Sequence, residues 1–198
     1  GDHIGEQVAN TNIAKIFRHE FGDVEDAFSK SDLVIERTVE MSMVHQGYIE
    51  PHNATAIWAE DGNITVWSST QGSFGVRAQT AGLLGIPESK VKVNYVEIGG
   101  GFGGKTKVYF TPIAALLSRK SGGRPVKFVM DRSSIFEASG PAPGGKIRMK
   151  IGVNKNGKIT AADTDLMLES GGYPGSAVGA AGLCVFACYN IPASRITA

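Results

Sequence analysis

The sequence predicts an α+β fold of mixed sheets, built from β-hairpins and a few packed helices. Three observations carry that expectation. Several runs alternate apolar and polar residues, the period-two signature of a half-buried strand. Two pairs of such runs are joined by tight-turn signals, Asp61-Gly62-Asn63 and Asn156-Gly157. Helical spacing is confined to a few segments between strands, so the order is hairpin, helix, strand, helix, strand, hairpin and not a regular βαβ series.

The elements follow along the chain. Residues 1–30 read as a polar lead-in ending in a short helix, "GDVEDAFSKSD", with acidic residues early and Lys30 late, as the helix dipole favours. Residues 31–198 read as the main domain. "LVIERTVEMSMV" alternates and predicts a strand. "ATAIWAEDGNITVWSST" predicts a hairpin in which Trp58 and Trp67 face each other. "GSFGVRAQTAGLLG" predicts a helix with Phe74, Ala78, Ala81 and Leu84 on its buried face, ended by Gly85 ahead of Pro87. "KVKVNYVEI" predicts a strand running into "GGGFGGK", and "VYFTPIAALLSRKSG" a helix ending in basic residues and Gly122. "RPVKFVMD" predicts a strand, and "GKIRMKIGVNKNGKITAADTDLMLES" a second hairpin. The Gly/Ala-rich segment 171–182 is expected to pack closely against a neighbour. The chain runs out in the strand-like "RITA", which suggests a piece of a longer polypeptide, and an apolar patch is then expected to lie bare.

Composition narrows the function. Hydrophobic residues make up 42% and charged residues 20%, so the chain can bury a core and is not disordered. A net charge of +1 argues against a nucleic-acid partner. Apolar runs fall short of the ~20 residues of a membrane span, and no signal peptide opens the chain. Two cysteines make no disulfide scaffold, so a reducing cytoplasm is expected. Cys184 and Cys188 are too few for zinc or an iron–sulfur cluster and read as buried free thiols. Glycine is 26 of 198 residues, nearly twice the typical ~7%, and the excess is local.

Residues 99–106 read G-G-G-F-G-G-K-T. Gly99, Gly101 and Gly104 satisfy the GxGxxG pattern, while Gly99, Gly104, Lys105 and Thr106 satisfy the P-loop pattern. Both rest on the same physics. Glycines let a backbone approach an anion, and a helix N-terminus offers unpaired N–H groups and positive dipole. A P-loop NTPase would use Lys105 and Thr106, with Asp131 as Mg²⁺ partner. Phe102 inside the loop, ninety preceding residues rich in hairpin signals, and the short stretch after Asp131 all weigh against it. A third possibility is a merely structural strand-to-helix turn in a non-enzymatic interaction domain.

The neighbours of the loop point elsewhere. "HQGYIEPHNA" (45–54), "VWSSTQ" (66–71), "LLGIPESKVKV" (83–93), "GGGFGGK" (99–105), "GRPVKFVMDR" (123–132) and "CYNIPASRI" (188–196) occur in order. This series resembles the molybdenum-cofactor-binding large subunit of the xanthine dehydrogenase/aldehyde oxidase/carbon monoxide dehydrogenase family, from about residue 15 onward. The resemblance implies a molybdenum-cofactor-binding domain type of fold and a part in an oxidoreductase that hydroxylates an aldehyde, N-heterocycle or similar small molecule. It implies a molybdenum–molybdopterin cofactor, in bacterial relatives usually the cytosine dinucleotide form. Iron–sulfur clusters and FAD are expected on partner subunits or segments, and the remainder of the large subunit is the first partner expected.

Residue by residue, Gln71 matches the family glutamine whose amide hydrogen-bonds a molybdenum ligand, where a neutral donor suits an anionic centre. Phe102 matches the aromatic beside the cofactor and under the substrate. Gly100, Gly101, Gly103 and Gly104 would bring backbone N–H groups to the cofactor or its phosphate. Thr106 stands where xanthine-type members carry a purine-binding glutamate, so a purine substrate is not expected. "SGPAPGG" (139–145) lacks the Arg or His of many relatives. The family's Arg-Gly loop and glutamate base have no counterpart here, so no catalytic residue is assigned and the isolated chain is expected to be inactive. Glu50, with Pro51, matches a family turn near the cofactor. His45 and His52 read as structural histidines, since HxxxxExH fits no common metal site. Ser42, Ser68 and Ser69 have no His partner and no GxSxG elbow.

Overall fold

A computed structural model describes residues 10–172 and 176–198. The first nine positions of the lead-in, and Tyr173, Pro174 and Gly175 of the Gly/Ala-rich segment, lie outside the described residues. The chain divides into two compact units, one formed by residues up to Val44 together with Pro143–Ala198, the other by His45–Ala142.

The first unit holds a five-stranded sheet. Its strands are β1 (Arg18–Phe21), β2 (Leu33–Met41), β7 (Gly145–Val153), β8 (Ile159–Leu168) and β9 (Ser194–Thr197), in the order β1-β9-β8-β7-β2. The expected second hairpin is β7–β8. Asn154 makes its turn, its Oδ1 accepting from the N–H groups of Asn156 and Lys158 at 3.0 Å each. Helix α1 (Val24–Ser29) starts at Asp23, whose carboxylate accepts from the Asp26 N–H. It buries Val24 and Phe28 against Ala161 and Ala193. The lead-in thus supplies both β1, a strand missed in the sequence, and α1.

Helix α5 (Val178–Cys184) packs close, as its composition predicts: a Cβ on Gly182 would lie 2.3 Å from the Phe17 ring. The cysteines correct the expectation of buried thiols. Both are free and exposed: α5 turns Val178, Gly179 and Gly182 inward and Cys184 away, and Cys188 lies beyond its end. Strand β2 pairs with β7 as predicted, yet all nine of its residues are exposed, Leu33, Ile35 and Val39 included. Its alternation is real, but as an edge strand it buries neither face within this unit.

The second unit holds a four-stranded sheet of β3 (Asn53–Trp58), β4 (Ile64–Ser68), β5 (Val91–Tyr95) and β6 (Val126–Val129), in the order β5-β4-β3-β6. β3–β4 is the first expected hairpin, and β4–β5 are parallel, joined through α2 (Ser73–Leu84) and a short 3-10 turn at Glu88–Lys90. α3 (Thr111–Lys120) packs on β3, where Ala114 and Ala115 let its axis come close to Ala54 and Ala56. α4 (Arg132–Ala138), unforeseen in the sequence, completes the unit.

Three expectations are corrected here. Trp58 pairs opposite Ile64 and Trp67 opposite Thr55, so the two tryptophans lie on opposite faces of the hairpin. Trp58 packs against the core, whereas Trp67 is exposed. The period-two pleat decides this, because the register sets residues whose numbers sum to 122 across from each other. Helix α2 buries Val76, Thr80 and Ala81, while Phe74 and Ala78 face outward. Finally, α3 begins at Thr111, not at the glycine loop, so it does not lend its N-terminus to Gly104 and Lys105; the helix that starts beside the loop is α2, whose N-cap Gly72 follows Gln71.

Candidate functional site

The site lies wholly in the second unit and is assembled from three segments: the turn before β3 (residues 48–52), the end of β4 (68–71) and the loop after β5 (99–106). β3 and β4 are neighbours, and β5 pairs with β4, so the sheet brings the three segments to one end.

Gln71 stands at the centre. Its Oε1 accepts from the N–H groups of Gly103 at 3.0 Å and Lys105 at 3.1 Å, and its own backbone N–H donates to the Lys105 carbonyl at 2.9 Å. Two N–H donors on one atom fix which end of the amide is oxygen. The NH₂ is therefore what this side chain offers outward.

The glycines have a packing reason. A Cβ on Gly101 would sit 2.5 Å from Gln71 Oε1, and one on Gly104 would sit 2.7 Å from the Tyr48 ring. Gly103 has open space but a φ of 89°, a conformation costly for other residues. Not every loop amide faces outward, which corrects the expectation for two of them. Gly103 donates to Gln71 and Gly104 to the Gly101 carbonyl at 2.8 Å. The loop itself does not use the N–H groups of Gly100, Gly101 and Phe102. Phe102 is 72% exposed with a φ of 51°, a strained setting for a bulky residue and an outward-facing ring. The ring edge lies over Gly100.

Beneath the loop sits a buried ion pair. Lys105 Nζ meets Glu50 Oε2 at 2.6 Å, with the lysine side chain fully buried. The lysine also lies over the Tyr48 ring, 5.0 Å from its centroid. Glu50 accepts three further bonds, from Ser69 Oγ (2.8 Å), the Gly99 N–H (2.8 Å) and Asn53 Nδ2 (3.0 Å). Burial pushes its carboxyl pKa up, but the bonds from Lys105, Gly99, Ser69 and Asn53 outweigh burial and hold it down at about 2.

Tyr48 is also buried, its hydroxyl 2.7 Å from His52 Nε2 and 3.3 Å from Ser139 Oγ. Burial, then the nearby Lys105 and His45 charges, lower the His52 pKa to about 4, so the ring is neutral at physiological pH. His45 accepts from the Gly47 N–H on Nδ1 and meets Ser139 with Nε2. Arg132 donates to the carbonyls of Tyr48 (3.0 Å) and Ile49 and anchors the turn. Among the described residues, no group of three or more His, Cys, Asp or Glu is arranged to hold a metal ion.

The P-loop alternative does not survive this geometry. Lys105 is committed to Glu50 and cannot reach a phosphate. Asp131 caps α4, accepting from the Ser134 N–H at 2.7 Å. That bond holds its pKa below the usual carboxylate range, and the residue caps the helix. The sequence missed the use made of Lys105, Glu50, Tyr48 and Arg132. Their partners lie up to 91 positions away, beyond any local pattern.

An outward amide donor, unused loop N–H groups and an exposed aromatic ring suit an anionic organic cofactor with polar metal ligands. The comparisons with known proteins agree. The family model described as the molybdopterin cofactor-binding domain matches residues 5–198. The chain belongs to the molybdopterin cofactor-binding domain family. It is 36% identical over 152 residues to a probable xanthine dehydrogenase subunit from Bacillus subtilis, covering 77% of this chain and 20% of that protein. It is 32% identical over 164 residues to the nicotinate dehydrogenase large molybdopterin subunit of Eubacterium barkeri, covering 83% of this chain and 38% of that one. Quinoline 2-oxidoreductase from Pseudomonas putida 86 superposes with a TM-score of 0.70 at 26% identity, over 97% of this chain and 26% of that one. Aldehyde oxidoreductase from Desulfovibrio gigas shares the fold, with a TM-score of 0.74 at 21% identity, over 91% of this chain and 20% of that one. The chain thus spans between a fifth and two fifths of the length of these relatives.

Proposed function

We propose that this chain is the cofactor-cradling part of a molybdenum hydroxylase that oxidises an aldehyde, N-heterocycle or similar small molecule. The cofactor-contacting residues fall within 31–198, and the working subunit is longer than this chain. The observation that carries the reading is the pinned Gln71 amide. Its oxygen is saturated by Gly103 and Lys105, so it faces the cofactor as a neutral N–H donor.

When bound, a molybdenum–molybdopterin cofactor supplies the two-electron chemistry that places a water-derived oxygen on a substrate carbon. This chain's own residues bind and orient. Gln71 holds a polar ligand of the metal through its NH₂ without adding charge. Gly100 and Gly101 present backbone N–H groups. Gly103 and Gly104 keep side chains out of the space and so let the loop close on Gln71 and Tyr48. Phe102 turns its exposed ring to the substrate side. None of the residues assigned here is placed to take the substrate proton, and that task belongs to the rest of the subunit.

The finer assignments belong to the same reading. The cofactor is the cytosine dinucleotide form. Iron–sulfur clusters and FAD sit on partner subunits or segments and carry electrons away. Free Cys184 and Cys188 accord with a cytoplasmic setting, and none of the described helices is long and apolar enough to cross a membrane. The test is to purify the protein from its native source and measure molybdenum and pterin per polypeptide. Near-stoichiometric molybdenum and pterin are expected. A native protein free of molybdenum and pterin overturns the reading.

A further inference from the structure

We propose that Glu50 and Lys105 act as a positioning pair that sets the aim of the Gln71 amide. The inference rests on the reading of Gln71 as a cofactor contact. The coupling runs through the backbone of Lys105. Gln71 touches Lys105 at two points, accepting from its N–H at 3.1 Å and donating to its carbonyl at 2.9 Å. Thr70 Oγ1 donates to the same carbonyl at 3.1 Å. Wherever the Lys105 backbone goes, the Gln71 amide follows.

What holds that backbone is the lysine side chain, fully buried and spanning back to Glu50. Glu50 grips both ends of the loop. Its Oε2 takes the Gly99 N–H at the start and Lys105 Nζ at the end, while its own N–H donates to the Gly99 carbonyl at 3.2 Å. The same Oε2 takes Ser69 Oγ, two residues before Gln71. One carboxylate oxygen therefore ties the loop start, the loop end and the strand end that carries Gln71. A neutral side chain at position 50 could accept the Gly99 and Ser69 bonds but not balance the buried ammonium. The ionic character of the pair is what the geometry uses.

The test uses the native molybdenum-loaded protein and variants Glu50→Gln, Glu50→Asp and Lys105→Met, with Gln71→Ala as reference. Two readouts are taken: the Mo(V) electron paramagnetic resonance spectrum after partial reduction, and amide hydrogen exchange of the peptide covering 99–107. Gln71→Ala shifts the spectrum. Glu50→Gln and Lys105→Met shift it in the same sense and speed exchange at the loop about tenfold, as expected when hydrogen bonds on a pinned acceptor loosen. Glu50→Asp, which keeps the charge, recovers part of both. If either single variant fails to accumulate, the double variant Glu50→Gln/Lys105→Met, which leaves no unpaired charge, is read in the same way. Wild-type spectrum and exchange in these variants, with a shifted Gln71→Ala spectrum, overturn the pair and leave Gln71 in place. An unshifted Gln71→Ala spectrum overturns the cofactor contact itself, and with it the pair's positioning role, even where loop exchange accelerates.

Discussion

Gly101→Ala is the sharpest single perturbation of the site. The new methyl carbon would stand 2.5 Å from Gln71 Oε1, 2.6 Å from its Cδ and 3.0 Å from its Cγ. Ordinary contacts of this kind are near 3.5–4.0 Å, so Gln71 must retreat by about 1 Å or leave. Retreat breaks its bonds to the Gly103 and Lys105 N–H groups, now at 3.0 and 3.1 Å. Two net hydrogen bonds are worth about 2 kcal/mol together. Residual overpacking adds about 1 kcal/mol at the low end of its range, because Gln71 is exposed and can swing outward. The expected cost is about 3 kcal/mol of local stability, together with lost cofactor contact. Hydrogen exchange across 99–107 measures the first and molybdenum per polypeptide the second. Gly103→Ala is the control. It meets nothing within 4 Å and suffers only its positive φ, about 1–2 kcal/mol. Gly101→Ala protein with wild-type loop exchange and full molybdenum would refute the close-packing account of this loop.

Three further outcomes are expected. Stability falls in acid in two steps. His52, lowered from 6.5 to about 4, favours the folded state while neutral, so its contribution is full above pH 6.5 and lost as pH drops through 4. Glu50, lowered from 4.5 to about 2, contributes above pH 4.5 and loses that contribution toward pH 2. The His52 step is worth about 3 kcal/mol. Thermal unfolding at pH 7.5, 5.5 and 4.5 reads the first step, and His52→Gln should flatten it. Gly82→Ala, on α2 with nothing within 4 Å of the added carbon, should stabilise by about 0.5–1 kcal/mol; a lower Tm would contradict that. Phe102→Ala removes a ring that is 72% exposed, so stability should change by under about 1 kcal/mol while KM for the substrate rises. Unchanged kinetics would remove Phe102 from the substrate side.

Much of this is legible in the residues, and what is not shares a cause. Asp61-Gly62-Asn63 and Asn156-Gly157 announce their hairpins because turn chemistry is local. The end of α2 at Gly85 is legible for the same reason: its φ of 66° suits glycine. The faces of those elements are not. Whether Trp67 or Phe74 points inward depends on register and on what packs above, and neither is written in the neighbouring residues. Gln71 and the glycine loop can be picked out as a candidate site, yet the loop's lysine also reads as a phosphate ligand because its ion-pair partner, Glu50, lies 55 positions earlier.

The sequence by itself determined the turns, the helix stops, the mixed α+β order and the family to which the chain belongs. These follow from backbone preferences and from short motifs, which act over a few bonds. Only the tertiary structure decided that the loop's glycines make room for Gln71 and Tyr48, that Lys105 is buried against a carboxylate, and that α3 starts too late to lend the loop its dipole. Those facts come from segments far apart in the chain meeting at one end of a sheet. A buried charge must find its partner in space, whatever the distance along the chain.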